Sequence, residues 1–330
     1  MLCIFDTTTN PYYNLAAEEY LLKNFDVPIF RLWRNEPAVI VGCNQNTLAE
    51  INRAFILQNN ISVVRRLSGG GAVFHDLGNV NYTFIEEKKP HENTGDLFKR
   101  FTQPIIQALR SLGVDAQLEG RNDLSIDGKK FSGNAIHIDK NRILHHGTLL
   151  FSASIKNLSK ALQARSEKFI GKSVKSTKSR VTNISEHLKN LMPVEEFISY
   201  LEQYILATMD NFTRYEYTEN DIKAIIQLKT TKYATDEWNY GKSPLYTYTK
   251  ISHTVGGIVE VYLNVVKGII QNVKIFGDFF GMNNISDIEK KLKNCDYKHE
   301  AIAARLQDIN INEYISNMDK NTFIDVFFES

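Results

Sequence analysis

The apolar positions of the chain switch between helical and strand spacing, and that switching outlines the fold. Leucines and alanines recur with helical spacing over Leu15 to Lys23, with Asn14 as the expected N-cap. Ile29 to Trp33 and Ala38 to Gly42 are short apolar runs of strand length. Thr47 and Glu50 form a T-x-x-E capping box, predicting one helix that runs to about Asn59. The β-branched run Ile61 to Leu67 predicts a strand, as does Val80 to Ile85. A periodic stretch from about Asp96 to Leu112 predicts a helix that stops at Gly113, the expected C′ glycine. Hairpins mixed with helices predict an α+β fold built on a large mixed sheet, not a doubly wound parallel one.

Periodicity lapses between Gly241 and Ile251, where Gly and Pro cluster. The expected division is a large domain over 1–245 and a small C-terminal α+β accessory domain over 250–330. In the latter, Gly256 to Phe276 reads as strands broken at Lys267-Gly268, followed by short amphipathic helices. Phe323, Val326, Phe327 and Phe328 are expected to pack against that domain, since the stretch is too short to anchor in a membrane.

Charge changes the picture only by exclusion. With 39 Lys+Arg against 38 Asp+Glu, the 330-residue chain has a net charge of +1, which argues against bulk binding to nucleic acid or membrane. Cys3, Cys43 and Cys295 are far apart and in no metal-ligand spacing, so neither a disulfide framework nor a zinc site is expected. The segment MLCIFDTTTNPYY has no basic n-region and no long apolar run, and a cytoplasmic location is expected.

The candidate chemistry centres on RRLSGGGAVFHDLGN. Three adjacent glycines let the backbone turn through positive φ and bring its N–H groups to an anion, beside the forked donors of Arg65 and Arg66. Read alone, it is either an anion cradle or a structural turn. It is not a Walker A loop, because no Gly-Lys-Ser or Gly-Lys-Thr closes it. A second segment, GRNDLSIDGKKFSGNAIHIDKNRILHHGTLLF, holds the hairpin signal Asp127-Gly128. Lys130 follows that turn in a strand expected to end at Ser132-Gly133, where it can hold a phosphate as a point charge. Asn122, Asp123, His145, His146 and Thr148 offer further polar groups. No histidine is assigned as a general base. EKFIGKSVKSTKSRVTN, with Lys168, Lys172, Lys175, Lys178 and Arg180, reads as a solvated loop or as a basic lid.

These blocks resemble the lipoate-protein ligases of the lipoate/biotin ligase superfamily. RRLSGGGAVFHDLGN, GRNDL, KKFSGNA with HHGTLLF, and SRVTNISE carry the likeness, with NLAAEEYLL and EWNYG extending it over Asn14 to about Gly241. The resemblance implies that ATP and Mg2+ serve to convert lipoate into lipoyl-adenylate. The lipoyl group then goes to a lysine of apo lipoyl domains, those of 2-oxoacid dehydrogenase E2 subunits and glycine cleavage H protein, by a monomeric enzyme.

By the same likeness, Lys130 is the catalytic residue. Arg65, Arg66, Ser68, Gly69, Gly70, Gly71 and Ala72 hold the acyl and carboxylate region. His75, Asn79 and Asn81 lie on the adenylate side, and Asn122, Ser132, Gly133, His146 and Thr148 complete the site. Asp123 takes magnesium or ribose, and Lys172, Lys175, Lys178 and Arg180 form the adenylate-binding loop, with Ser173 and Lys178 departing from the family's usual Gly and Arg. Arg142 is a further adenylate candidate, and Trp33, Val41, Val73 and Phe74 are expected to line the acyl slot. The competing reading is a lipoyl or octanoyl transferase that uses a preformed adenylate or acylated donor. Related octanoyltransferases use a cysteine thioester, so Cys43 matters, and it is expected to be a small buried residue.

Overall fold

The computed structural model describes residues 1–162, 181–208, 211–241, 248–266 and 268–328. Its strands in chain order are β1 (Leu2–Phe5), β2 (Ile29–Trp33), β3 (Ala38–Val41), β4 (Ser62–Arg65), β5 (Val73–His75), β6 (Asn79–Glu87), β7 (Gln117–Glu119), β8 (Asp123–Ile126), β9 (Lys129–Asp139), β10 (Arg142–Leu150), β11 (Thr213–Arg214), β12 (Tyr248–Thr254), β13 (Gly257–Val266) and β14 (Ile269–Gly277). Eight of them form one mixed sheet in the order β11-β1-β2-β6-β10-β9-β8-β7. A separate three-stranded sheet runs β4-β3-β5 and a third runs β12-β13-β14. The glycine loop connects β4 to β5, so it hangs from the small sheet and not from an edge of the large one.

Register decides what each face of the large sheet carries. Trp33, Asn81 and Thr148 lie in one cross-strand row, and Arg31, Thr83, His146 and Ala135 lie in the next row of the same face. The alternate row, Leu32, Tyr82, Gly147 and Asn134, points to the opposite side. Helix α4 (Thr94–Ser111) covers that opposite side, burying Phe98, Phe101, Ile105 and Leu109 with Phe30, Tyr82 and Phe84. Removing one such aromatic ring costs about 3–5 kcal/mol. The first face is covered by helix α1 (Pro11–Asn24) and the small sheet.

Two expected caps are used otherwise. Asn10 caps α1 through its side chain and Pro11 opens the helix, where a missing N–H is harmless. Asn14 is buried inside the helix, and its Nδ2 donates to the Thr8 and Arg34 carbonyls. The single helix expected from Thr47 is two pieces, α2 (Thr47–Glu50) and α3 (Arg53–Gln58), with Asn52 capping the second. The Thr47 hydroxyl donates to the Asn239 carbonyl at 2.5 Å instead of capping. The strand holding Lys130 continues past Gly133 to Asp139, because β10 pairs with it over Asp139 to Asn134.

The β12-β13-β14 sheet packs with helices Ser286–Leu292, His299–Arg305 and Lys320–Asp325 around an apolar core of its own that includes Phe323, Val326 and Phe327. It meets the rest of the chain where Gly277 N donates to Asn44 O and Gly70 N donates to Phe279 O. Among the described residues, no helix is long and apolar enough to cross a membrane.

Candidate active site

Asp127 and Gly128 both adopt positive φ, at 52° and 70°, the pairing that lets a two-residue turn follow the twist of β8 and β9. The turn brings Lys130 back beside Asp123, with Nζ 2.8 Å from Oδ1. Both side chains are partly exposed, so this pair adds at most about 1 kcal/mol to stability. Its consequence is positional: the ammonium is held in place, and an arriving anion competes with one carboxylate for it. Gly133 N donates to Thr148 Oγ1 at 3.1 Å, and a Cβ on Gly133 would come within 3.2 Å of Lys130 Nζ. Thr182 N donates to the Lys130 carbonyl, so the chain leaving the basic segment is stitched to the strand of this lysine. Lys172, Lys175, Lys178 and Arg180 lie outside the described residues.

The two arginines before the glycines have different fates. Arg66 bends into its own loop, donating through Nη2 to Gly69 O and Gly71 O, through Nη1 to Ile40 O and through Nε to Ser68 Oγ. Arg65, expected to hold substrate, is instead a brace. Its guanidinium donates to the carbonyls of Gly42, Gln45 and Trp238 and to Thr47 Oγ1, leaving no nitrogen for a ligand. Burial lowers both guanidinium pKa values to about 10, so both stay charged near neutrality. Gly70 has φ 89°, and a Cβ on Gly42 would overlap the Gly70 carbonyl, which is why two glycines face each other there.

Between the glycine loop and the large sheet lies a cavity of about 120 Å³. Leu15, Trp33, Ile40 and Val73 supply its apolar wall. Arg66, Gly70, Gly71, Ala72 and Gly133 border it, as do Asn122, Lys130, His75, Asn81, His146 and Thr148. Phe280, from the C-terminal sheet domain, closes one side. Ser68, Gly69, Asn79, Asp123 and Ser132 are not part of the lining, although Asp123 and Ser68 reach it through Lys130 and His146. Val41 and Phe74 pack into the core on the other side of the small sheet, correcting their expected place in the acyl slot. Arg142 is also displaced: its Nη2 donates to the Val27 carbonyl, and it lies outside the lining. Cys43 is half-buried, less buried than expected, and outside the lining too.

Sequence reasoning missed Glu18. Its carboxylate lies 3.0 Å from His146 Nδ1, while His146 Nε2 is 2.7 Å from Ser68 Oγ. Thr83 Oγ1 donates to Glu18 at 2.6 Å and accepts from Trp33 Nε1 at 2.9 Å. Burial alone would raise the Glu18 pKa, but His146, Thr83 and Arg31 outweigh it and hold it below the ordinary carboxylate value. The available signal was the adjacent pair Glu18-Glu19 set between the apolar runs of α1. Arg121 was also missed. It donates to Gly256 O at 2.6 Å and lies 4.5 Å over the Phe280 ring, gripping the C-terminal domain next to the cavity.

The chain matches two family models, the lipoyl protein ligase A/B catalytic domain over residues 10–206 and the bacterial lipoate protein ligase C-terminus over residues 243–327. A Bacillus subtilis lipoate-protein ligase is 44% identical over 99% of this chain and 100% of its own length. The crystal structure of P. falciparum LipL1 in complex with lipoate superposes with a TM-score of 0.80 at 28% identity, covering 98% of this chain and 97% of that one. A lipoate-protein ligase A bound with ATP gives a TM-score of 0.63 at 28% identity over 72% of this chain and 98% of that one. Glycine loop, turn-borne lysine, half-apolar cavity and full-length similarity agree: the chain belongs to the lipoate-protein ligase family.

Proposed function

We propose that this protein activates lipoate with ATP, forming lipoyl-adenylate and releasing pyrophosphate, and then transfers the lipoyl group to a lysine of an apo lipoyl domain. The observation that carries the reading is one cavity with an apolar wall beside Trp33 and an ammonium, Lys130, at its polar border. A carboxylate must attack an α-phosphorus although both are negative, so a fixed cation where charge builds up lowers that barrier. Lys130 meets this need, with the glycine loop also bordering the cavity. In the second step an acceptor amine attacks the acyl carbon, AMP leaves with the C–O bond electrons, and the nitrogen gives up a proton.

Magnesium fits the donor set in a limited way. No group of three acidic, histidine or cysteine ligands occurs among the described residues, and a metal that arrives on phosphates needs only one or two protein carboxylates. Asp123, half-exposed beside Lys130, is the carboxylate that would take it, and the ion would offset charge on the departing pyrophosphate. Acceptors are the lipoyl domains of 2-oxoacid dehydrogenase E2 subunits and the glycine cleavage H protein, and the enzyme works as a cytoplasmic monomer. The division at 245–250 is supported by the separate C-terminal apolar core. The position of Cys43 outside the cavity lining speaks against a thioester route.

The test is the intact mass of an apo lipoyl domain incubated with enzyme, lipoate, ATP and magnesium. A lipoyl mass gain that needs both ATP and Lys130 supports the reading. Modification only from a preformed adenylate or acylated donor overturns it.

A further inference from the structure

Lys130 sits at an irregular point of β9. Its pairing with β8 jumps from Ser132 opposite Leu124 to Lys130 opposite Ser125, which leaves Phe131 as the extra residue of a β-bulge. Phe131 is fully buried, so its ring pins the bulge to the core while Lys130 and Ser132 flank it. A bulge re-aims the side chains beside it and locally disrupts the ladder that would hold them. On the other side, β10 pairs with β9 from Asn134 to Asp139, so among the described residues it does not reach Lys130. The strand end that carries the ammonium therefore needs support from elsewhere.

Val181 and Thr182 supply it. Val181 bridges Lys130 in parallel, and Thr182 N donates to the Lys130 carbonyl at 3.0 Å. The residues that follow are anchored to the end of β10: Asn183 exchanges hydrogen bonds with the backbone of Ala153, Ser185 N donates to Phe151 O, and Ile184 is fully buried. The Thr182 side chain, 2% exposed, is held by the short 3-10 helix Ile184–His187. Its hydroxyl donates to Glu186 Oε2 at 3.3 Å, since a carboxylate only accepts. The hydroxyl lone pairs then face His187 Nε2 at 2.9 Å, so that ring nitrogen is the donor. The other one, Nδ1, faces Asp127 Oδ2 at 3.9 Å, too far for a hydrogen bond. One imidazole thus stands between the two pieces of chain next to Lys130, the flanking strand at Thr182 and the turn at Asp127.

We propose that His187 is a positioning residue for Lys130: its bond to Thr182, with Asp127 on the other side of the ring, holds the bulged end of β9 so that the ammonium points at the cavity. His187 lies outside the cavity lining and acts through Lys130. Asp123 fixes the ammonium at its tip, whereas His187 fixes the backbone from which it springs. Both constraints are needed, because a flexible stem separates the tip from the backbone. The role of Lys130 in adenylation rests on the ligase reading.

Pyrophosphate release tests it on His187→Leu, His187→Gln and Thr182→Val. His187→Leu removes the donor and should slow release about tenfold, the scale of loss expected from a displacement below an ångström. Thr182→Val deletes the same link from its other end and should repeat the loss. His187→Gln, whose amide can donate to Thr182 Oγ1, should recover most of the rate, which a general loss of packing would not allow. In a Lys130→Ala background, His187→Leu should add nothing. Unaltered release in His187→Leu, a Gln variant no better than Leu, or an undiminished effect without Lys130 overturns the inference. The 15N resonance of the Lys130 ammonium, identified by its loss in Lys130→Ala, gives a readout independent of activity. It should shift in His187→Leu and return in His187→Gln, and a resonance that does not move overturns the inference. If wild type releases no pyrophosphate from ATP and lipoate, the ligase reading falls, while the Lys130 resonance still decides whether His187 positions this lysine.

Discussion

Asp123 Oδ1 holds Lys130 Nζ at 2.8 Å across the β8–β9 hairpin, so the one cation bordering the cavity from β9 is already oriented before any anion arrives. Lys130→Ala should lower pyrophosphate release about 10²- to 10³-fold, the usual loss when a fixed donor to developing charge is removed. Lys130→Arg should not restore it, because a planar fork does not occupy the position of a compact ammonium. The melting temperature of either variant should stay near that of wild type, since the ion pair is half-exposed.

Arg65 predicts the opposite pattern. Arg65→Ala would leave several buried carbonyls and the Thr47 hydroxyl without their donor, at about 3 kcal/mol or more. Urea unfolding should show the loss as a lower midpoint, and Arg65→Lys should recover little of it. A variant that unfolds like wild type but no longer binds lipoate would restore Arg65 to the ligand-holding role.

His145 sits among Phe98, Phe101 and Tyr82 with neither ring nitrogen hydrogen-bonded among the described residues. Burial keeps its pKa well below 6.5, so the unfolded chain takes up a proton that the folded one refuses as pH falls. Stability from this site is therefore complete above pH 6.5 and declines below it. His145→Phe should raise stability by about 1–3 kcal/mol and flatten that decline. Melts recorded on both sides of pH 6.5 check it, and an unchanged slope would show that His145 is protonated in the fold.

Arg121 ties the C-terminal domain to the cavity through Gly256, Asp278 and Phe280. Arg121→Ala should therefore reduce adenylate formation more than transfer from synthetic lipoyl-adenylate, and calorimetry should show a second, earlier transition. Equal loss in both half-reactions would mean that Arg121 serves only general stability.

Local signals were legible where local geometry decides. The Asp127-Gly128 turn places Lys130, and the three glycines make the loop, as the residues indicate, whereas the close approach of Gly42 to Gly70 arises only on folding. Arg65 and Arg66 are indistinguishable in sequence because what separates them is distant: Arg65 meets Trp238 and Asn239, more than 170 positions away. Asn14 and Thr47 have the chemistry of caps, yet tertiary partners claim their side chains. Glu18 and Phe280 were invisible for the same reason, since only folding brings an α1 carboxylate to His146 or a C-terminal ring to the glycine loop.

The placement of Phe279 and Phe280 also imposes an order in time. Among the described residues, every other wall of the cavity is encoded by Thr148, but the carbonyl that receives Gly70 N and the ring that closes the side emerge from the ribosome some 130 residues later. At ordinary elongation rates of about 5–20 residues per second, the nascent polypeptide spends many seconds with an open, incomplete pocket. A stalled or prematurely terminated product thus lacks the enclosure that would shield a reactive mixed anhydride from hydrolysis, which ties acyl activation to completion of translation.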